Sequence, residues 1–286
     1  MPELPEVETI ARGVDERVRG ARIAAAWFGS HREPMKTPAA KQERVLTGAK
    51  FLSVRRVGKH IVCDLTLAGV DAVSGEMKAD GGGVSAQWIV HLGMTGRLLV
   101  TEADAEVVEH THARLTLVDG REIRFVDARR FGRLEVRDLR RDEAFMGPGS
   151  EPMTIGSAEF YALFHSRKTS IKAALLNQSL LHGVGNIYAD ESLFRAGIRP
   201  RTGANRLTRA RLEQLRVELR GVLEQAIALG GSSVSDYVDA NGVKGFFQLE
   251  HRVYGRAGEP CRVCGTEVRR VVLGGRGTHY CPQCQK

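Results

Sequence analysis

The sequence lacks several things, and each absence narrows the field. No apolar run approaches the roughly 20 residues that cross a bilayer. No basic-then-apolar leader pattern opens the chain. It is therefore expected to be soluble and cytoplasmic, with no membrane partner. Lysine is scarce: of 42 basic residues only 9 are Lys, leaving 33 Arg. Cysteine is scarce too, with five in 286 residues and four of those in the last 26. That leaves no disulfide framework for the rest of the chain. The remaining cysteine, Cys63, sits in Ile61-Val62-Cys63-Asp64-Leu65, which reads as a strand with a small core residue. No internal repeat is present.

What is there points elsewhere. A chain of 31.4 kDa with 42% hydrophobic residues is large enough for two domains with real cores. The net charge is +8 and the pI about 9.5. Arginine forks match phosphate oxygens bidentately, and the arginines cluster: Arg55-Arg56 near Lys59, Arg129-Arg130 near Arg133, and five between Arg199 and Arg211. This suggests a nucleic-acid partner. A solvated surface written by an Arg-preferring genome fits the composition equally.

Apolar residues Val7, Ile10, Ala11, Val14 and Val18 form a helical stripe over 5–19, with Gly20 as its stop. Alternating stretches then predict strands at 22–28, 51–57, 60–67, 87–91, 97–101, 112–118, 122–127 and 133–137, with a hairpin turn at Asp119-Gly120. This is a β-sandwich or barrel behind a helix. Residues 69–86 read as a long, glycine-rich hairpin loop. Residues 143–153 read as a linker. Helices are then expected at 157–165, 170–177, 186–196, 207–229 and 232–239, and a mobile loop at 240–250.

Cys261, Cys264, Cys281 and Cys284 have the spacing C-x2-C-x16-C-x2-C. Each pair can aim two thiolates at one ion, and the 16 residues between suffice for a β-hairpin that joins the pairs. This is the pattern of a tetrahedral, structural Zn2+ site; two disulfides are the alternative. Gly274-Gly275-Arg276-Gly277 marks the hairpin tip and presents Arg276. At Gly183-Val184-Gly185-Asn186 two helical patterns meet. Such a turn can hold a phosphate on its exposed N–H groups, but taken alone it points to plain capping by Asn186.

The chain opens Met1-Pro2-Glu3-Leu4-Pro5-Glu6. A small residue after Met1 favours removal of the initiator. That leaves Pro2 with a secondary amine, whose adduct with a sugar carbon is an iminium with no proton to lose. Such an adduct is a durable electron sink. Glu3 and Glu6 lie within one helical turn of it, so nucleophile and acid/base groups stand together. A frayed end with Pro5 opening a helix is the plainer alternative.

Five segments in order carry a resemblance: MPELPEVET at the start, HLGMTGRL (91–98), DARRFGRLE (127–135), LLHGVGNIYADESLFRAGIRP (180–200) and VYGRAGEPCRVCG…CPQCQK (253–286). Together they resemble the bacterial formamidopyrimidine-DNA glycosylases, a family also called 8-oxoguanine-DNA glycosylase/AP lyases. The resemblance implies an α+β multidomain protein. A β-sandwich with a catalytic N-terminal helix would occupy 1–142 and a linker 143–153. A helix–two-turn–helix module would follow at 154–240, a lesion-lid loop at 241–250 and a four-cysteine zinc-finger hairpin at 251–286. Damaged double-stranded DNA would bind a single chain across a cleft, with the lesion flipped out.

Residue by residue, Pro2 matches the nucleophile, Glu3 the acid/base carboxylate and Glu6 a carboxylate that supports lesion positioning. Lys59 matches a proton donor in β-elimination. Met94, Arg129 and Phe131 match residues that fill the gap left by the flipped base. Asn186 and Arg276 match phosphate contacts, with Arg276 also assisting δ-elimination. His110 and Arg167 match further DNA contacts. The chain departs from the pattern at Ala128, where Pro is usual, at Val57, where Arg is usual, and in its longer 69–86 loop.

The implied activity is excision of oxidised purines followed by β,δ-elimination at the abasic site. The amine has an ordinary pKa of about 7.7–8.0, and a helix start and nearby arginines favour its neutral form. The same helix dipole opposes Glu3 as a proton donor. Two alternatives remain at this point: an endonuclease VIII-like glycosylase for oxidised pyrimidines, and a non-catalytic zinc-finger DNA-binding protein.

Overall fold

The helical stripe after Pro5 folds as α1, Leu4–Val18, and Gly20 follows it at φ 82°, the left-handed position that ends helices. The computed structural model describes residues 1–67, 69–70, 77–78, 83–233, 239–240 and 243–286. The chain divides into two units. One comprises Met1–Pro2, Glu6–Met146 and Ser233–Gly245; the other comprises Glu3–Pro5, Gly147–Ser232 and Phe246–Lys286.

The first unit holds the β-sandwich. Strands β1 (Ile23–Phe28), β8 (Thr111–Leu117), β9 (Arg121–Val126) and β7 (Arg97–Glu102) form one antiparallel sheet in that order. Strands β10 (Arg133–Asp138), β6 (Ala86–His91), β3 (His60–Thr66) and β2 (Lys50–Val57) form the other. Alternating side chains from both sheets enter one core with Phe51, Trp88 and Phe125 at its centre, joined by Val7, Ile10, Val14 and Val18 of α1. Cys63 lies in this core, and burial pushes its thiol well above the usual range. Gly120, at φ 87°, turns β8 into β9 at the expected hairpin.

A helix that sequence reading left out, α2 (Ala39–Leu46), covers one end of the core. It has eight residues and no side-chain cap. Strong helix formers are reinforced by tertiary contacts: buried Gln42 accepts from Trp88 Nε1 at 3.3 Å and donates to Thr37 O at 2.8 Å, and Val45 and Leu46 pack inward. Within the expected 69–86 loop, β4 (Gly69–Val70) and β5 (Met77–Lys78) pair antiparallel; 68, 71–76 and 79–82 lie outside the described residues.

The second unit is helical, with a terminal hairpin. Its elements are α3 (Ser157–Phe164), α4 (Ile171–Leu175), α5 (Asn186–Arg195), α6 (Arg209–Ala228), β11 (Arg269–Leu273) and β12 (Arg276–Tyr280). The hydroxyls of Ser170 and Thr208 accept from Ala173 N and Arg211 N and so cap α4 and α6. Their core contains Leu4, Phe160, Phe164, Tyr188, Leu215 and Phe247. The expected helix at 232–239 falls largely on residues outside the description, 234–238. The expected mobile loop at 240–250 is corrected in its second half: Phe247–Glu250 is a 3-10 turn, and Phe247 is fully buried beside Tyr188. Burial of that ring outweighs the loop-like glycines before it. Of the lid segment, 241–242 lie outside the described residues. Among the described residues no helix is long and apolar enough to cross a membrane.

Candidate active site

In the second unit the site is built around the start of α5. Gly183, at φ 92°, and Gly185 form the turn before it. Leu4 N donates to Gly183 O at 3.0 Å, so residues 3–5 lie along this turn. Glu3 is buried, and its Oε1 accepts from Ile187 N at 3.2 Å. The anion that satisfies this helix start is the chain's own Glu3. The expectation that Asn186 caps α5 is thereby corrected. Gly185 holds the cap position, Asn186 is the first helical residue, and Glu3 from the other end of the chain supplies the acceptor. An N–H at a helix start stabilises a carboxylate, which sharpens the difficulty of using Glu3 as a proton donor.

The Asn186 side chain instead donates Nδ2 to Gly277 O at 2.9 Å, and Lys172 Nζ donates to the same carbonyl at 3.0 Å. Gly277 follows Arg276, the exposed first residue of β12. Arg276 thus lies just past the tip, which is Gly274-Gly275 at φ 54° and 74°, a two-residue turn suited to glycine. Lys172 also pairs with Asp190 at 2.6 Å, both fully buried, and Asp190 Oδ2 accepts from His279 N at 2.8 Å. Burial lowers the Lys172 pKa, and Asp190 opposes that shift. Glu191 accepts from the N–H groups of Arg252, Val253 and Tyr254 at 2.8–2.9 Å. Burial still raises its pKa, against those three bonds.

Sequence reading missed Lys172, Asp190 and Glu191. A signal was present, because Asp190 stands four residues after Asn186 on the same helix face, among apolar neighbours.

In the first unit Pro2 is buried, and Glu6 is buried in the first turn of α1. Lys59 is buried in the β2–β3 turn after Gly58, φ 60°. Beside it His60 and His91 lie 4.9 Å apart, centroid to centroid. Burial first, and His91 second, push His60 down to about 4. Burial and then Lys59 lower His91.

Met94, Arg129 and Phe131 are all exposed and sit on two turns, 92–96 and 127–132. The Arg129 guanidinium stacks 4.8 Å from the Phe131 ring centre. Gly93 lets the two turns touch: a Cβ there would lie 2.5 Å from Phe131 C. His110 stands at φ 65°, just before β8.

In the second unit Arg167 is exposed after α3, with Nε donating to Leu163 O at 2.8 Å.

The Sγ atoms of Cys261, Cys264, Cys281 and Cys284 lie within 4.8 Å of one another. Three of the separations are 3.9, 3.5 and 3.4 Å. A tetrahedron with Zn–S bonds of about 2.3 Å has edges of about 3.8 Å. The donor set therefore fits one structural Zn2+, with no position open to substrate. The Cys281–Gln285 knuckle is fixed to the segment that follows α5: Arg199 Nε donates to Gln285 O at 2.9 Å and Gln285 Nε2 to Ile198 O at 2.8 Å.

Three family models match the chain: the formamidopyrimidine-DNA glycosylase N-terminal domain at residues 1–134, the H2TH domain of the same enzymes at 146–238, and the zinc finger found in FPG and IleRS at 258–286. The formamidopyrimidine-DNA glycosylase of Solibacter usitatus is 45% identical over 287 residues, covering all of both chains. That of Desulfitobacterium hafniense is 42% identical over 295 residues, again covering both fully. Among solved structures, a proline mutant of Lactococcus lactis FPG bound to Fapy-dG DNA matches at TM-score 0.84 and 31% identity over 100% of each chain. The wild-type Lactococcus protein bound to DNA with an oxidised pyrimidine matches at 0.83 and 31% over the same extent.

Proposed function

The chain belongs to the formamidopyrimidine-DNA glycosylase family, and from that premise we propose how its residues act on damaged DNA. It is a base-excision-repair glycosylase for oxidised purines in duplex DNA. The finer assignment, including the lyase step, is ours.

With Met1 removed, the Pro2 amine attacks C1′ of the flipped nucleoside. The bond from C1′ to the base breaks, and the base leaves with its electron pair. Glu3, next in the chain, moves the protons that the amine loses and the opening sugar takes up. The resulting iminium accepts the electrons released by proton loss at C2′, and the 3′ phosphate departs by β-elimination. Lys59 serves this step and Arg276 the following δ-elimination of the 5′ phosphate, leaving a one-nucleotide gap. Glu6 supports the lesion. Met94, Arg129 and Phe131 fill the gap in the stack; His110, Arg167, Asn186 and Arg276 contact the DNA backbone. The Zn2+ stabilises the hairpin when bound. We place the enzyme in the cytoplasm, on the nucleoid, acting as a single chain.

The observation that carries this reading is Glu3. It is a buried carboxylate, adjacent to Pro2 in the chain and tied to α5, whose own residues hold the strand that begins with Arg276. The bond to Ile187 N alone would suit a plain helix cap; it is the adjacency to Pro2 that supports the catalytic reading. Borohydride reduction of the protein on 8-oxoguanine DNA tests the reading. A covalent adduct should form with the processed chain and vanish when Met1 is retained or the terminus is acetylated. Normal trapping by a Met1-retaining protein would overturn Pro2 as nucleophile.

The Lactococcus complex with oxidised-pyrimidine DNA favours a second, broader reading, in which such lesions are also accepted. Cleavage of single-lesion duplexes of both kinds separates the two.

A further inference from the structure

Two turns that are far apart in sequence converge on one buried carboxylate in the first unit. Asp127 is fully buried at the end of β9. Its Oδ1 accepts from Thr95 Oγ1 at 2.6 Å, and its Oδ2 accepts from Gly132 N at 2.8 Å. Arg129 N also donates to Oδ1, at 3.3 Å. The backbone of the same residue is engaged as well: Asp127 N donates to His110 O at 3.0 Å, and Asp127 O contacts His112 Nε2 at 2.9 Å.

Four of these five contacts reach a residue proposed to meet DNA or its immediate neighbour. Thr95 adjoins Met94, Gly132 adjoins Phe131, Arg129 is contacted directly, and His110 is held through its carbonyl. The glycines make the approach close. A Cβ on Gly132 would fall 2.4 Å from Phe125 Cζ and 3.1 Å from Asp127 Oδ2, and one on Gly93 would strike the backbone at Phe131. The strands that flank the two turns pair at Arg133–His91 and Arg97–Val126, and within the turns Arg129 N donates to Thr95 Oγ1 at 3.4 Å; Asp127 adds the short contacts. With it, a short bond from Thr95 and a backbone bond from Gly132 meet on one buried side chain.

We propose that Asp127 is a positioning residue that binds the Met94 turn and the Arg129–Phe131 turn into a single inserting body, with Thr95 as the link between them. The proposal rests on the reading of Met94, Arg129 and Phe131 as gap-filling residues. An inserted side chain offsets unstacking only if it arrives in place. Two loose turns would each lose conformational freedom on insertion; a joined pair has lost it beforehand.

The test uses full-length zinc-loaded protein under single-turnover conditions. Thr95→Val is near-isosteric and removes only the link, so it avoids the folding risk of Asp127→Ala. It should slow excision of 8-oxoguanine from duplex DNA roughly tenfold. Cleavage of a preformed abasic site should change less than about twofold, because less stacking must be replaced. Thr95→Ser, which keeps the hydroxyl, should restore the rate.

Met94→Ala and Phe131→Ala should be non-additive in the wild-type background. In the Thr95→Val background their effects on the rate should multiply to within about twofold. If Met94→Ala and Phe131→Ala both leave duplex excision unchanged, the gap-filling reading itself fails. If those two slow excision while Thr95→Val does not, or slows both substrates equally, the linking role of Asp127 is overturned.

Discussion

The carboxylate of Glu3 occupies the space that a side chain on Gly185 would fill: a Cβ there would lie 2.1 Å from Glu3 Cδ. Gly185→Ala is therefore an indirect way to move Glu3 without altering it. The displaced carboxylate should lose its bond from Ile187, and single-turnover excision should fall roughly 100-fold or more, as expected when an acid/base group is misplaced. Zinc content should be unchanged. An excision rate within about threefold of wild type would show that the position of Glu3 is not critical.

Cys281→Ser replaces a buried ligand and leaves three thiolates. Bound zinc should fall well below one per chain, and affinity for lesion DNA should fall with it. Both tryptophans, Trp27 and Trp88, belong to the first unit. Their emission should keep its native wavelength while the hairpin is lost. Full affinity in a preparation without zinc would make the hairpin dispensable.

Arg276→Ala removes an exposed guanidinium from a strand that Lys172 and Asn186 continue to hold through Gly277. Affinity should weaken, and the slope of log K against log salt should drop by about one unit, the signature of one lost phosphate contact. Zinc content and melting temperature should not move. An unchanged slope and affinity would leave Arg276 a surface residue.

Burial holds His251 at about 4 in the folded protein, against 6.5 in the open chain. Between those values the unfolded state binds more protons, so stability falls as pH drops from 6.5 towards 4. Above 6.5 this group contributes no pH dependence. His60, in the first unit, follows the same course. In His251→Gln the acid loss should shrink by up to about 3 kcal/mol. Urea midpoints at about pH 7.5 and about pH 4.5 measure it. Equal losses in both proteins would clear His251.

The strands were legible because one face of each meets a core, and alternation records that directly. Residues 97–102 and 111–117 show it plainly in their burial. The α2 helix was legible in composition, since seven of the eight residues of AAKQERVL are strong helix formers and Thr37-Pro38 precede them, but it is too short to show a clear apolar stripe. At the site, the zinc ligands and Pro2-Glu3 stood out by spacing and position. Lys172, Asp190 and Glu191 did not, because a charged residue within a helix reads as solvent-facing until its partner is known. Asn186 was assigned the cap for a related reason: the true acceptor comes from Glu3, and no local window contains both.

Helix α5 has one more consequence. Within little more than a turn it receives Glu3 at Ile187, steadies β12 through Asn186 and Asp190, and anchors 252–254 through Glu191. These partners share one rigid datum, so an error in its placement is common to all of them and their mutual spacing survives. The converse is a constraint on engineering. A zinc hairpin transplanted without α5 would carry its metal but lose its alignment, and a substitution chosen to improve one end of the helix must be tolerated by the tenants of the other.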